Sequence, residues 1–149
     1  MADLEALRAG MEQAVPFNRR LGLEIVEVAV GRGVTQLADD PELRNHTGSQ
    51  HASALFALGQ AASGAAFAAV FVRELPTLEL APDGATINYK KIPRGVLTAT
   101  GVLGADPDTL LQELADEGAV RFSVDVGITD GAGDVVADMT VSWNVRKES

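Results

Sequence analysis

The chain has 149 residues, 46% of them hydrophobic, and 12 Lys and Arg against 21 Asp and Glu give a formal net charge of -9. That length supports one domain, spanning 1–149, with a proper core, and that charge argues against nucleic acid or an anionic membrane surface as the partner. With no cysteine and two histidines there is no disulfide, thiol nucleophile or His-rich metal centre, so neither metal nor other cofactor is expected, and the cytoplasm is the expected compartment.

Residues 3–15 place Leu4, Leu7, Met11 and Val15 at three- and four-residue steps, which predicts an amphipathic helix closed by Pro16. Asp3, Glu5, Arg8 and Glu12 run through the same stretch and exclude a secretory signal. Residues 23–30 are β-branched and apolar, and the odd spacing of Glu24 and Glu27 predicts a strand with a bulge. Residues 31–33 turn the chain into a second strand over 34–38. A polar loop at 45–51 then runs into an Ala-rich apolar stretch, predicting a helix to about residue 73, more than 20 residues and roughly 30 Å long. Residues 54–72 approach the length of a membrane span. They are mostly Ala and Gly, contain Gln60 and Ser63, and lack a flanking basic cluster, so a helix buried on all sides is expected.

Pro76 and a Pro82-Asp83-Gly84 turn are expected to end that region. Ala85, Ile87 and Tyr89 alternate with Thr86, Asn88 and Lys90, as in a half-buried strand. A turn through Pro93 leads to a strand over 96–103. Asp106-Pro107 starts a short helix with an apolar face of Leu110, Leu111 and Leu114, and Gly118 ends it. Val120, Phe122, Val124, Val126 and Ile128 alternate as a strand, residues 130–133 make a hairpin, and Val135, Ala137, Met139, Val141, Trp143 and Val145 alternate as the last strand. Hairpin connections make the sheet antiparallel. One long apolar helix finds burial when a curved sheet wraps it, so the class is α+β with an added N-terminal helix.

The 45–52 junction is where chemistry is expected. The first N–H groups of a helix have no partner within it and the dipole makes that end partly positive, so it can hold an anion or a developing oxyanion. His46 and His51 both sit here, His46 as an ordinary loop residue. Asn45 serves as a turn residue, and Gly48 permits the tight turn.

Asn45-x-x-Gly48-x-x-His51, two small residues, and Leu58-x-Gln60 resemble the signature of hotdog-fold acyl-CoA thioesterases of the phenylacetate-pathway type. Ile87-Asn88-Tyr89-Lys90-Lys91-x-Pro93-x-x-Gly95 is similar to a recurrent strand-turn of that family, and the likeness runs over 21–146, beyond the N-terminal helix at 1–16. The resemblance implies a hotdog fold and an acyl-CoA or other acyl thioester as partner, hydrolysed at a dimer interface in a homodimer or dimer of dimers, away from nucleic acid and membrane. It implies that N–H groups at His51 and Ala52 polarise the thioester carbonyl and that Asn45 binds it or orients water. Lys90, Lys91 and Arg94, with Asn88, Tyr89 and helpers at Arg44 or Arg73, would then bind coenzyme A; read without the family, they are a solvated hairpin end.

Gln60 stands where the family carries its catalytic carboxylate. An amide has no useful basicity near neutral pH, although it donates and accepts hydrogen bonds and can hold water. Ser63, one turn on, would share that water, and Asp39, Asp40 or Glu42 would supply a replacement acid. Nine residues of helix advance about 13 Å and turn by about half a revolution, so His51 and Gln60 serve one site only if two chains build it. The leading expectation is a thioesterase. A non-catalytic acyl-CoA-binding protein is the alternative that Gln60 favours, and a hotdog hydratase or dehydratase using His51 is the third.

Overall fold

The computed structural model describes residues 3–149; residues 1 and 2, inside the span expected for the N-terminal helix, lie outside the described residues. The Asp3 carboxylate accepts the Ala6 N–H at 3.0 Å and caps α1 (Leu4–Ala14). Pro16 does more than close that helix: it is the first residue of α2 (Pro16–Leu21), which Gly22 ends at φ 74°. A missing N–H costs nothing at a helix start, so one residue both breaks α1 and opens α2.

The strands are β1 (Glu24–Ala29), β2 (Arg32–Leu37), β3 (Leu78–Tyr89), β4 (Leu97–Leu103), β5 (Ala119–Thr129) and β6 (Val135–Lys147). They form one antiparallel sheet in the order β1-β2-β4-β5-β6-β3, curled around α3 (Ala52–Ala68). This is the hotdog fold. The β1 register shifts between Ile25 and Glu27, the bulge that the two glutamates foretold. Along β5 the alternation is regular, with Val120, Phe122, Val124, Val126 and Ile128 turned inward. The helix α4 (Pro107–Glu117) begins with Asp106 accepting the Thr109 N–H at 3.0 Å and ends at Gly118.

Four expectations change. The central helix has 17 residues and stops at Ala68; the β-branched Val70 and Val72 have low helix propensity, and turns carry the chain on to Glu74. Pro82-Asp83-Gly84 is not a turn but an irregularity inside β3, where Pro82 faces Trp143 and Gly84 faces Ser142. Proline is tolerated there because β3 is an edge strand. Ala85 and Tyr89 are exposed and only Ile87 is half-buried, because β3 is an outermost strand of the sheet and α3 covers little of it. In β6, Val135 is exposed and Val136 is buried, since an extra residue opposite Thr129 swaps the faces before the expected alternation resumes at Ala137.

The core sits between α3 and the sheet. Leu58, Ala62, Ala65 and Ala66 have no exposed surface, and the buried Thr35 hydroxyl donates to the Leu58 carbonyl at 2.9 Å. Close approach explains the small residues: a Cβ at Gly33 would lie 2.5 Å from the Ala65 Cβ, and one at Gly101 would lie 2.7 Å from the Ala62 carbonyl oxygen. At the far end Phe67 packs edge-on against Phe122 and Trp143, with centroids 5.1 and 4.9 Å away. Burying each such ring is worth about 1.5–3 kcal/mol.

The two sheet edges differ. At β1 the Arg8 guanidinium donates to the Ile25 carbonyl at 2.8 Å and the Ile25 N–H donates to the Glu12 carboxylate at 2.7 Å, so α1 covers that edge. Nothing among the described residues pairs with the outer edge of β3. Among those residues no helix is long and apolar enough to cross a membrane.

Candidate functional site

The loop before α3 is built around one side chain. Asn45 Oδ1 accepts from the Thr47 and Ser49 N–H groups at 3.0 and 3.1 Å and from both of their hydroxyls. Gly48 closes the loop at φ 84°, a conformation that favours glycine. The carboxamide oxygen is thus committed to the turn, leaving the Asn45 amide N–H groups for other partners. His51 caps the helix: its Nδ1 accepts the Ser53 N–H at 2.9 Å, and its own N–H donates to the Leu43 carbonyl at 3.1 Å. Of the two donors expected at the helix start, His51 N–H is therefore occupied. Ala52 N–H has no acceptor among the described residues and points out from the first turn of α3, where the helix dipole is positive.

A second segment is tied to this start. The Tyr89 hydroxyl donates to the Ala52 carbonyl at 3.2 Å, and the buried Gln50 side chain donates to the Gly95 carbonyl at 2.7 Å. The fold thus brings residues 88–95 against the 45–52 junction, far apart in sequence. Gln50 carries no sequence signal beyond its position beside His51, and its role in this tie was missed. Asp130 anchors the same segment, accepting the N–H groups of Arg94, Ala132 and Asp134 at 3.1, 3.0 and 3.2 Å. Burial works to raise its pKa, but those backbone donors and nearby Lys91 outweigh it and hold the carboxyl below its ordinary value.

The expected clamp of three cations is partly neutralised. Lys90 pairs with Asp138 at 2.8 Å and Lys91 with Asp134 at 3.6 Å; hydrogen bonds from Lys90 and Asn88 keep the Asp138 carboxyl below its ordinary value. Arg94 has no carboxylate partner among the described residues, and neither has Arg73. Arg44 pairs with Asp39 at 3.3 Å, and Asp40 caps a short turn by accepting the Glu42 N–H. Glu42, of the three acids before the junction, lines a cavity of about 260 Å³ that also meets His51, Ser53 and Ala54. His46 is exposed.

Gln60 lies elsewhere. It lines a different, larger cavity of about 430 Å³ on the face of α3 that the sheet leaves bare. The helix contributes Ala57, Gln60, Ala61, Gly64, Phe67 and Ala68. Met11, Ala14, Val15, Phe17 and Asn18, from α1, α2 and the residue joining them, also line it, a contribution hidden in the sequence because it depends on where α1 docks. No Asp, Glu, Lys, Arg or His lines this cavity, and the Gln60 amide has no hydrogen-bond partner among the described residues. Ser63 is not beside it as a free hydroxyl: it is buried, donates to the Gln60 carbonyl at 2.6 Å, and accepts the Trp143 indole N–H at 3.0 Å. Among the described residues no group of three or more His, Asp or Glu could hold a metal ion.

Residues 4–145 match the model of a family described as a domain of unknown function, DUF4442. No curated protein matches the chain. Solved structures share the fold at low identity. One is a Pseudomonas aeruginosa protein of unknown function described as a probable thioesterase, 22% identical over 99% of this chain and 97% of that one, with a TM-score of 0.81. A thioesterase family protein from Silicibacter pomeroyi is 14% identical over 97% and 99%, with a TM-score of 0.77. The Escherichia coli PaaI protein of the phenylacetic acid degradation operon is 18% identical over 97% and 93%, with a TM-score of 0.71.

Proposed function

The chain belongs to the DUF4442 family, and we propose that this member binds acyl thioesters, acyl-CoA above all, at a site shared by two copies and hydrolyses them slowly. One observation carries the reading: the free Ala52 N–H and the unpaired Gln60 amide lie about 12 Å apart along α3, and the cavity at the helix start, lined by His51, Ser53 and Ala54, is separate from the one that Gln60 lines. A site using both takes the helix start from one copy and the Gln60 cavity from the other. The probable thioesterase from P. aeruginosa and the thioesterase family protein from S. pomeroyi, which share the fold, support the choice of thioester.

In this site a water oxygen attacks the carbonyl carbon and the carbonyl electron pair moves onto oxygen, held by the Ala52 N–H. Collapse of that intermediate breaks the C–S bond; the sulfur leaves as thiolate, and the proton shed by the water ends on it. Gln60 holds the water through its amide oxygen without removing a proton, which is why turnover is slow. The Asn45 amide N–H groups lie on the same junction and serve the substrate carbonyl. Arg94, flanked by Lys90, Lys91, Tyr89 and Asn88, takes the phosphates of coenzyme A. The second reading, binding without turnover, is favoured by the absence of any acid or histidine in the Gln60 cavity. Glu42, beside His51, is the acid that would reverse it.

The second copy pairs at β3, the edge that α1 does not cover. The Lys90 N–H donates to the Val136 carbonyl at 2.8 Å, so beyond the irregularity at Pro82–Gly84 the even-numbered residues of this strand address β6. Ala85, Ile87 and Tyr89 direct their N–H and C=O outward. Ala85→Pro deletes one outward N–H, leaves the β6 ladder intact, and sits at an exposed position. Mass measurement in solution is expected to give a dimer or its multiple for the wild type and a monomer for Ala85→Pro. Thiol release from a panel of acyl- and aryl-CoA esters is expected to be slow in the first and lost in the second. A monomeric wild type with full turnover would reject the shared site; no binding or turnover of any thioester would reject the function.

A further inference from the structure

On the face of α3 bordering the larger cavity, Ala57, Ala61, Gly64 and Ala68 recur at steps of four, three and four, so they stack in one line along the helix. All four line the cavity, and their small size is what leaves it open. From Ala57 to Ala68 the helix rises about 16 Å. At one end stand Gln60 and Asn18, the polar groups of the lining other than an indole. Beyond them the lining is Phe67, Leu75, Leu80 and Trp143, with Trp143 midway, against Gly64, and its N–H committed to Ser63 at 3.0 Å. The far end therefore offers no free polar atom.

We propose that this trough takes a straight, saturated acyl chain of medium length, roughly eight to twelve carbons, with its carbonyl at Gln60 and its methyl end past Trp143, at Ala68. This rests on the thioester reading above and names its substrate class. Two independent bounds set the length. From Gln60, where the carbonyl sits, to Ala68 the helix rises about 12 Å, and an extended chain advances about 1.25 Å per carbon, so that span holds about 9 or 10. At about 30 Å³ per methylene, close to the volume share of a water, the cavity of about 430 Å³ holds at most about 14. A hydroxyl or carboxylate at the far end of an acyl group, including a hydroxyl on an aryl ring, would lose its water there without gaining a partner.

The test is calorimetric binding of S-alkyl-CoA thioethers from C2 to C16, which cannot be hydrolysed, together with a phenethyl thioether and the free fatty acids C4 to C16. Affinity is expected to rise about fourfold per methylene up to about C10 and to level or fall by C16. Ala68→Leu fills the methyl end and is expected to shorten the optimum by two to four carbons, leaving C4 unchanged. Ala61→Leu fills the middle and is expected to abolish the gain beyond about C6. Ala61 is only half-buried, so that variant keeps the test decisive if Ala68→Leu does not fold. A flat dependence on length, a rise continuing through C16, tighter binding of the phenethyl compound, or an optimum unmoved in both variants would overturn the proposal. Free acids that show the length optimum while no thioether binds would leave the trough assignment standing and remove the thioester reading instead.

Discussion

Gln60→Glu is expected to raise thiol release from acyl-CoA by about 10²- to 10⁴-fold, the usual worth of a placed general base. The two side chains have the same length and shape, so the change swaps an NH₂ for an oxygen and leaves the packing alone. The difference lies in protonation: the amide cannot accept a proton near neutral pH, whereas a carboxylate can. The cavity around it carries no charged side chain. Desolvation in such a place raises a carboxyl pKa toward the range where it acts as a base near pH 7. Turnover by the variant is therefore expected to climb with pH as the new carboxyl ionises, with its midpoint above the ordinary glutamate value of about 4.3. The measurement is a pH profile of thiol release for wild type and variant, and the protein's lack of cysteine removes its own thiol background. Equal rates at every pH would mean that position 60 never meets the reacting water.

Gly33→Ala is expected to cost about 3 kcal/mol or more, beyond the usual range for an added methyl because backbone stands in its way. Its Cβ would lie 2.5 Å from the Ala65 Cβ, 2.6 Å from the Ala65 carbonyl carbon and 2.6 Å from the Ala66 nitrogen. None of these is a flexible side-chain tip. Relief requires α3 to retreat from β2, which would also stretch the Thr35 hydroxyl bond to the Leu58 carbonyl. For a chain of this size the loss corresponds to about 6–12 °C in Tm. Gly127→Ala, with nothing within 4 Å of its Cβ, is the control, expected to melt within a degree or two of the wild type. Equal melting of the two variants would show that α3 does not approach the sheet so closely.

What the sequence revealed follows from the range of the interactions involved. The β5 alternation, the Asp106 cap and the Gly118 stop are local, and each reads directly. The end of α3, the second helix opened by Pro16 and the irregularity at Pro82–Gly84 depend on where neighbouring strands lie, so the same residues read as a longer helix, a stop and a turn. The Val136 bulge shifts a pattern that otherwise looks regular from Val135 onward. At the site, the helix start and the half-turn between His51 and Gln60 come from helix geometry alone. Three other features come from contacts that no local pattern encodes: the Leu43 carbonyl across the loop that occupies the His51 N–H, the Gln50 tie to Gly95, and the cavity wall from α1 and α2. Ser63 shows the same limit, because Trp143, 80 residues away, claims its hydroxyl.

The central claim is that one chain supplies the oxyanion donor and the other the group at position 60, and mixing two proteins that each lack one of these groups tests it. Ala52→Pro deletes the Ala52 N–H at the first helical position, where proline is well tolerated and where His51 already has the extended backbone, φ -67° and ψ 137°, that precedes proline. The double variant Ala52→Pro with Gln60→Glu then has the base without the donor, and the wild type has the donor without the base. After the two are mixed and their subunits exchanged, thiol release is expected to rise well above either alone, approaching about one quarter of the rate of the Gln60→Glu single variant, the share of composite sites that random pairing in a symmetric dimer yields. A mixture no faster than the average of its parents, with exchange confirmed by mass, would contradict a site built from two chains.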